Sequence, residues 1–267
     1  MNVSHRAASH AAFRDWARRL VAHHNATSTK ADDGRDVYQT STIAALLEGV
    51  YDGDVTIAEL LGHGDFGLGT FNHLDGEMLI LDGVCYHLHA DGSVNTAADD
   101  DLTPFAAVMR FQADKRVPVD APCDRAALTR LIDEATASRN LLYAVRVTGD
   151  FSTMHTRTVM EQKRPYPPFG EAAAGQKETV LHDVRGTLAG FRTPAYEQGV
   201  SVAGYHLHFI DEQRRSGGHA LDFHMRRGTV EISATSELHL SLPRTDEFLK
   251  AAQLSQAEVD SQIHRTE

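Results

Sequence analysis

The stretch at residues 204–223, GYHLHFIDEQRRSGGHALDF, restricts the folds open to this chain more than any other. Apolar and aromatic residues flank DEQRRSGG, a run too polar and too rich in glycine to continue a strand, so the stretch predicts a β-hairpin. Side chains two apart on a strand share a face. His206 and His208 therefore present both imidazoles on one side, and an antiparallel return that sets His219 beside His208 brings a third to the same face. Three neutral imidazoles on a rigid ribbon suit a borderline divalent ion such as Zn²⁺ with at least one position left open, as in catalytic rather than structural sites. The bland alternative has weight, because a chain with sixteen histidines contains HxH pairs by chance. His87 and His89, in YHLHADG, form such a pair without a third histidine placed by a hairpin, and they read as structural polar residues on a strand beside a turn.

The remainder is also rich in β-type segments. FGLGTF (66–71), residues 77–94 and FAAVMRF (105–111) alternate or are β-rich, with DG turn signals at 75–76, 82–83 and 91–92. Residues 140–151, 179–193, 199–210, 219–225 and 228–233 read as further strands. Helices are expected over 40–53, over 122–138 with Asp124 opening it and Leu128, Leu131 and Ile132 inward, and over 246–254. Asp99, Asp100 and Asp101 read as loop-capping residues rather than a metal cluster. PYPPFGEAAAGQ (165–176) is expected to be irregular, because its prolines remove donors and fix φ. The expected class is α/β (α+β-like): two β-rich layers or subdomains of mixed or antiparallel sheet with a few flanking helices, and a metal site on a hairpin of the C-terminal half. The expected division is an N-terminal extension at 1–36, whose Phe13, Trp16, Ala17 and Leu20 fall on one helical face, a β-rich part at 37–164, a metal-binding β part at 165–254 and a polar tail at 255–267.

Composition excludes several functions. Lys and Arg total 26 against 37 Asp and Glu, a formal charge of −11, which disfavours a polyanion-binding surface and hence nucleic acid. No apolar run approaches the ~18–20 residues of a membrane span, and the Arg-studded opening stretch lacks the apolar centre of a secretory signal. Two cysteines, Cys85 and Cys123, are too few for a disulfide framework, which points to a reducing cytoplasm. An exposed strand edge in so β-rich a chain makes a homodimer the expected assembly. GLG at 67–69 lacks the third glycine of a dinucleotide fingerprint, and no GxSxG or Cys–His nucleophile pair is present.

Taken together, LLEGVYDGDVT, HGDFGLGTFNHLDGE, TPFA, LYAVRV, HTRTV, PYPPF, GTLAGFRTPAY and the hairpin block resemble the α-acetolactate decarboxylases, in order and spacing, from about Tyr38 to Phe248. The resemblance implies a zinc-dependent carbon–carbon lyase that takes a small-molecule substrate, 2-acetolactate, to acetoin and CO₂. On that pattern His206, His208 and His219 match the zinc ligands, Arg157 the arginine that meets the substrate, Glu77 an active-site carboxylate and Thr70 a nearby polar residue. A glutamate from the C-terminal tail matches either Glu258 or Glu267, with Glu267 preferred. Such a set makes chemical sense. A chelating ion takes up the electron density left by departing CO₂ as an enediolate, a forked guanidinium holds the carboxylate, and a sheltered carboxyl, first Glu77 and then the tail glutamate, returns a proton. Two other readings use the same trio: a zinc hydrolase or hydratase, and a metal-loaded binding or sensor module without turnover.

Overall fold

The computed structural model of the chain describes residues 34–266; the expected N-terminal helix and Glu267 lie outside the described residues. The strands are β1 (Val37–Thr40), β2 (Val55–Thr56), β3 (Phe66–Thr70), β4 (Glu77–Leu81), β5 (Val84–Leu88), β6 (Val94–Thr96), β7 (Leu102–Thr103), β8 (Phe105–Met109), β9 (Lys115–Val119), β10 (Cys123–Asp124), β11 (Leu142–Thr158), β12 (Lys177–Thr193), β13 (Gly204–Asp211), β14 (Gly217–Thr235) and β15 (Leu238–Ser241). The α-helices are α1 (Ile43–Leu47), α2 (Ile57–His63), α3 (Arg125–Ala135), α4 (Phe169–Ala172), α5 (Asp246–Lys250) and α6 (Gln256–Thr266).

Two sheets dominate. The first runs β15-β1-β8-β3-β4-β5-β6, antiparallel except for the parallel β1–β15 pair. The DG pair at 82–83, with Asp82 and Gly83 both at positive φ, is the tight turn between β4 and β5, the geometry that a two-residue hairpin requires. The second sheet runs β10-β14-β11-β12-β13, with β9 also on β14. Strand β14 changes partner at His219, which pairs with His208 of β13 on one side and with Arg157 of β11 on the other.

The sheets pack face to face. Leu68, Leu79, Leu88 and Ala107 of the first sheet meet Ala144, Ala189, Phe191 and Ile210 of the second in one buried cluster. Helix α2 covers the far side of the first sheet with Ile57 and Leu60, and α3 covers the second with Leu128 and Ile132. Asp124 caps α3 by accepting from Ala127 N at 2.8 Å, as its sequence predicts. The mixed α and β character with few helices agrees with the expected class.

Several elements differ from expectation. The helix expected over 40–53 is only α1, because Gly49 sits at φ +92 and ends it. Helix α2 was not expected; Thr56 caps it, and Ile57 N and Ala58 N donate to the carbonyls of Asp101 and Asp99, so part of the acidic run serves the loop that starts this helix. After its prolines, the segment at 165–176 forms α4 and a 3-10 turn over Ala173–Gly175, since Pro168 stands just before the helix where its missing N–H costs nothing. The strands expected at 219–225 and 228–233 are one continuous β14, and β11 extends to Thr158. The helix expected over 246–254 is only α5, ending at Lys250, and the tail read as polar is helical from Gln256, with Val259 and Ile263 buried against Ile43, Leu46 and Phe169.

Gly190 on β12 lies under the hairpin, and a Cβ there would fall 2.1 Å from the His206 carbonyl oxygen and 2.7 Å from Leu68 Cδ2. Gly190→Ala is expected to destabilise the fold by about 1–3 kcal/mol through overpacking. A parent-like melting temperature by circular dichroism would contradict this close packing.

Candidate active site

Hairpin β13–β14 has the register that the sequence predicts: His208 opposite His219, and His206 two residues before His208 on the same face. The turn is pinned by Asp211, whose carboxylate accepts from Arg215 N at 2.6 Å and Ser216 N at 3.1 Å. Gly218 permits the close approach of β14, since a Cβ there would lie 2.7 Å from the Arg157 carbonyl oxygen. The three rings stand 5.1 to 5.4 Å apart centre to centre, and one nitrogen from each lies within 4.8 Å of the other two.

Electrostatics keeps all three neutral. Burial pushes His206 down to about 3, helped by the positive charges of Arg157 and Arg125. His208 and His219, each 1% exposed, are held well below the usual imidazole value, again mainly by burial. His208 Nδ1 lies 2.8 Å from the Met78 carbonyl oxygen. A carbonyl only accepts, so Nδ1 carries the proton and Nε2 presents a lone pair. That buried Nε2 has no hydrogen-bond partner among the described residues. An orphaned basic nitrogen among neutral imidazoles, with its second nitrogen bonded to a backbone carbonyl, fits a divalent ion such as zinc.

Arg157 reaches the trio through an irregularity. Between His155, which pairs with Asp222, and Thr156, which pairs with Ala220, the ladder shifts by one residue. The bulge shifts Arg157 from opposite Ala220 to opposite His219, and directly opposed residues share a face. Arg125 Nη1, at the start of α3, donates to the carbonyl of the skipped Leu221 at 2.5 Å and holds the bulge. Arg157 Nη1 donates to Glu77 Oε1 at 3.0 Å, with side chains 4% and 8% exposed. The other carboxylate oxygen lies 3.5 Å from His208 Nε2. Glu77 opens β4, so the two sheets bring the carboxylate, the guanidinium and the imidazoles together.

Thr70 Oγ1 donates to the Gly76 carbonyl at 2.7 Å. Its single proton is thus committed to the loop that leads into Glu77, and only its lone pairs face the cavity. Glu258 is exposed, and its Oε2 accepts from Ser255 N at 2.8 Å and from the Ser255 hydroxyl at 2.6 Å. Those bonds hold its carboxyl below the usual range and employ it at the start of α6.

A cavity joins these groups to an apolar wall that the sequence did not announce. Thr70, Glu77, Arg157 and His206 form its polar side, and Ile43, Leu46, Phe105, Val159 and Phe169 face them. A second donor group was also missed: Asp75 joins His87 and His89, with ligand atoms within 4.8 Å of one another. Counting back along the β4–β5 hairpin from its turn at 82–83 sets residue 75 beside residue 90, which would have found it.

Comparison with known proteins decides the family. The model described as alpha-acetolactate decarboxylase matches residues 37–256. The chain belongs to the alpha-acetolactate decarboxylase family. It is 46% identical over 219 residues to the alpha-acetolactate decarboxylase of Methylococcus capsulatus, covering 82% of this chain and 84% of that protein. Identity to the Bacillus subtilis protein of the same name is 45% over 215 residues, with 80% and 84% covered. The crystal structure of alpha-acetolactate decarboxylase from Bacillus subtilis strain 168 superposes with a TM-score of 0.85 at 43% identity, over 87% of this chain and 99% of that one. Among the described residues of this family member, no helix is long and apolar enough to cross a membrane.

The Glu77–Arg157 pair is expected to couple strongly. In a double-mutant cycle with Glu77→Ala and Arg157→Ala, thermal denaturation should give a coupling of about 1–3 kcal/mol, because each single change leaves its partner's charge buried. Additive effects would contradict the pairing.

Proposed function

We propose that this chain decarboxylates 2-acetolactate to acetoin and CO₂ with a divalent ion, zinc, held by His206, His208 and His219. The observation that carries the reading is a cluster of three neutral imidazoles, of which His206 lines the same cavity as the buried Arg157–Glu77 pair, in a chain close in sequence to proteins named for this activity. A bound ion would supply a Lewis acid for the electron pair left behind as CO₂ departs.

The chain's own residues do the rest. Arg157, a cation that does not lose its proton, binds and orients the substrate carboxylate, and its position opposite His219 aims it at the group that leaves. Glu77 Oε1 accepts from Arg157 and fixes the direction of the guanidinium, while Thr70 steadies the Gly76 carbonyl just before it. The apolar wall of Ile43, Leu46, Phe105, Val159 and Phe169 seats the methyl groups and excludes water, so that charge interactions inside the cavity strengthen. After CO₂ leaves, a carboxyl must return a proton to carbon. Glu77 is already an acceptor for Arg157, so we assign the delivery to Glu267. It follows Thr266 directly in sequence, at the end of a helix whose Val259 and Ile263 pack with residues of that wall. Glu258, engaged with Ser255, is not assigned a part.

Acetoin and CO₂ release from racemic 2-acetolactate tests the reading on the full chain. Arg157→Ala is expected to lower turnover on the order of 10²–10³-fold, the usual loss for an aimed charge-stabilising donor, while zinc content stays unchanged. His208→Ala should lose the trio's zinc and activity together. Glu267→Gln should slow turnover and spare the metal. Zinc bound without gas evolution would favour the sensor reading. Hydration or hydrolysis that persists in Arg157→Ala would favour the hydratase or hydrolase reading.

A further inference from the structure

We propose a second divalent-metal site, separate from the histidine trio, built from Asp75, His87 and His89 with Asn95 beside them. The three side chains offer ligand atoms within 4.8 Å of one another. His87 Nε2 lies 2.6 Å from the Asp75 carbonyl oxygen and 3.6 Å from its Oδ2. His89 Nε2 is hydrogen-bonded to Asn95 Oδ1 on β6. The donor set is two imidazole nitrogens with carboxylate, carbonyl and amide oxygens, a mixture that suits Zn²⁺ or Cu²⁺ and not the all-oxygen cages of Ca²⁺ or Mg²⁺.

The fold holds these groups close together. Phe71 stacks on one ring contact of His87 at 3.9 Å between centroids, and His89 lies 3.7 Å away. With those two rings against it, His87 is buried. Burial and the neighbouring His89 also lower its proton affinity, which favours the neutral, ligating imidazole. Gly76, at φ +75, lets the loop come close; a Cβ there would sit 2.4 Å from the Leu88 carbonyl oxygen and 3.1 Å from His87 Nε2. A surface cavity lined by Asp75, His89, Asp91, Glu161 and Lys177 gives an ion access. On binding, each imidazole changes tautomer: the proton on His87 Nε2 and that on His89 Nε2 leave to solvent while each Nδ1 takes one up, so that both rings stay neutral and turn a lone pair to the ion. Bonds of ~2.1 Å set two ligand atoms of one tetrahedral ion about 3.4 Å apart, so Asp75 Oδ2, 3.6 Å from His87 Nε2, fits a shared ion and the carbonyl at 2.6 Å draws back. The site ties the loop carrying Asp75 and Gly76 to β5, two residues before Glu77.

The test is a zinc titration of the full chain against a chromogenic chelator, with bound metal counted by mass spectrometry. The parent is expected to bind two equivalents. His89→Ala and Asp75→Asn should each bind one, and His206→Ala should keep one. In the His206→Ala background, added Zn²⁺ should raise the melting temperature, and the further change His89→Ala should abolish that rise. One equivalent in the parent, lost in His206→Ala, would overturn this proposal and leave the trio intact. Two equivalents retained by His89→Ala would also overturn it. His206→Ala binding one equivalent while the parent binds no more than one would instead sink the trio's assignment and leave this site standing.

Discussion

A hydrogen bond between the two sheets determines what the site can be. The proton on His208 Nδ1 goes to the carbonyl of Met78, one residue beyond Glu77 on the opposing sheet. It selects the tautomer, turns Nε2 toward His206 and His219, and fixes β13 against β4 at the point where Glu77 enters. Without it His208 could rotate or take the other tautomer, and its distance to Glu77 would have no structural basis. The inter-sheet core of Leu68, Leu79, Phe191 and Ile210 supplies the rigidity that makes one such bond decisive.

Burial serves two purposes here that pull in opposite directions. It strips water from His206, His208 and His219, which keeps them neutral and therefore able to donate lone pairs. It also places Arg157 and Glu77 where unpaired charge is costly, and there the two pair with each other. A salt bridge of this kind is a poor source of net stability but a good means of fixing direction, and the guanidinium that faces the cavity depends on direction. The Arg157 bulge belongs to the same logic, since a regular ladder would set Arg157 opposite Ala220 rather than opposite His219.

The hairpin was legible in the sequence because two local signals agree: HxH alternation fixes a face, and the polar Gly-rich turn fixes the return. His206, His208 and His219 therefore followed from residue spacing alone, and the register agrees. Arg157 and Glu77 did not follow from pattern; each sits alone on a strand, and only the family resemblance singled them out. The bulge beside Arg157 has no local sequence signature, since it depends on Arg125 from another element capturing the Leu221 carbonyl. Strand β12 was read almost to its full length, whereas the far end of β11, beyond Phe151, was not. The tail looked polar because, among the described residues of α6, only Val259 and Ile263 are buried, too few apolar positions to stand out as a stripe. Asp75 was overlooked because its link to His87 and His89 runs through hairpin register rather than through adjacent sequence.

The central claim is that three imidazoles from one β-ribbon hold one divalent ion at the wall of the Arg157 cavity. Anomalous diffraction at the zinc edge, from crystals of the full chain grown with zinc, tests it most directly. The account predicts a peak bonded at ~2.1 Å to one nitrogen each of His206, His208 and His219, with His208 bound through Nε2 and Nδ1 still on the Met78 carbonyl. Density showing those three rings without an ion between them, while zinc occupies other positions, would contradict it.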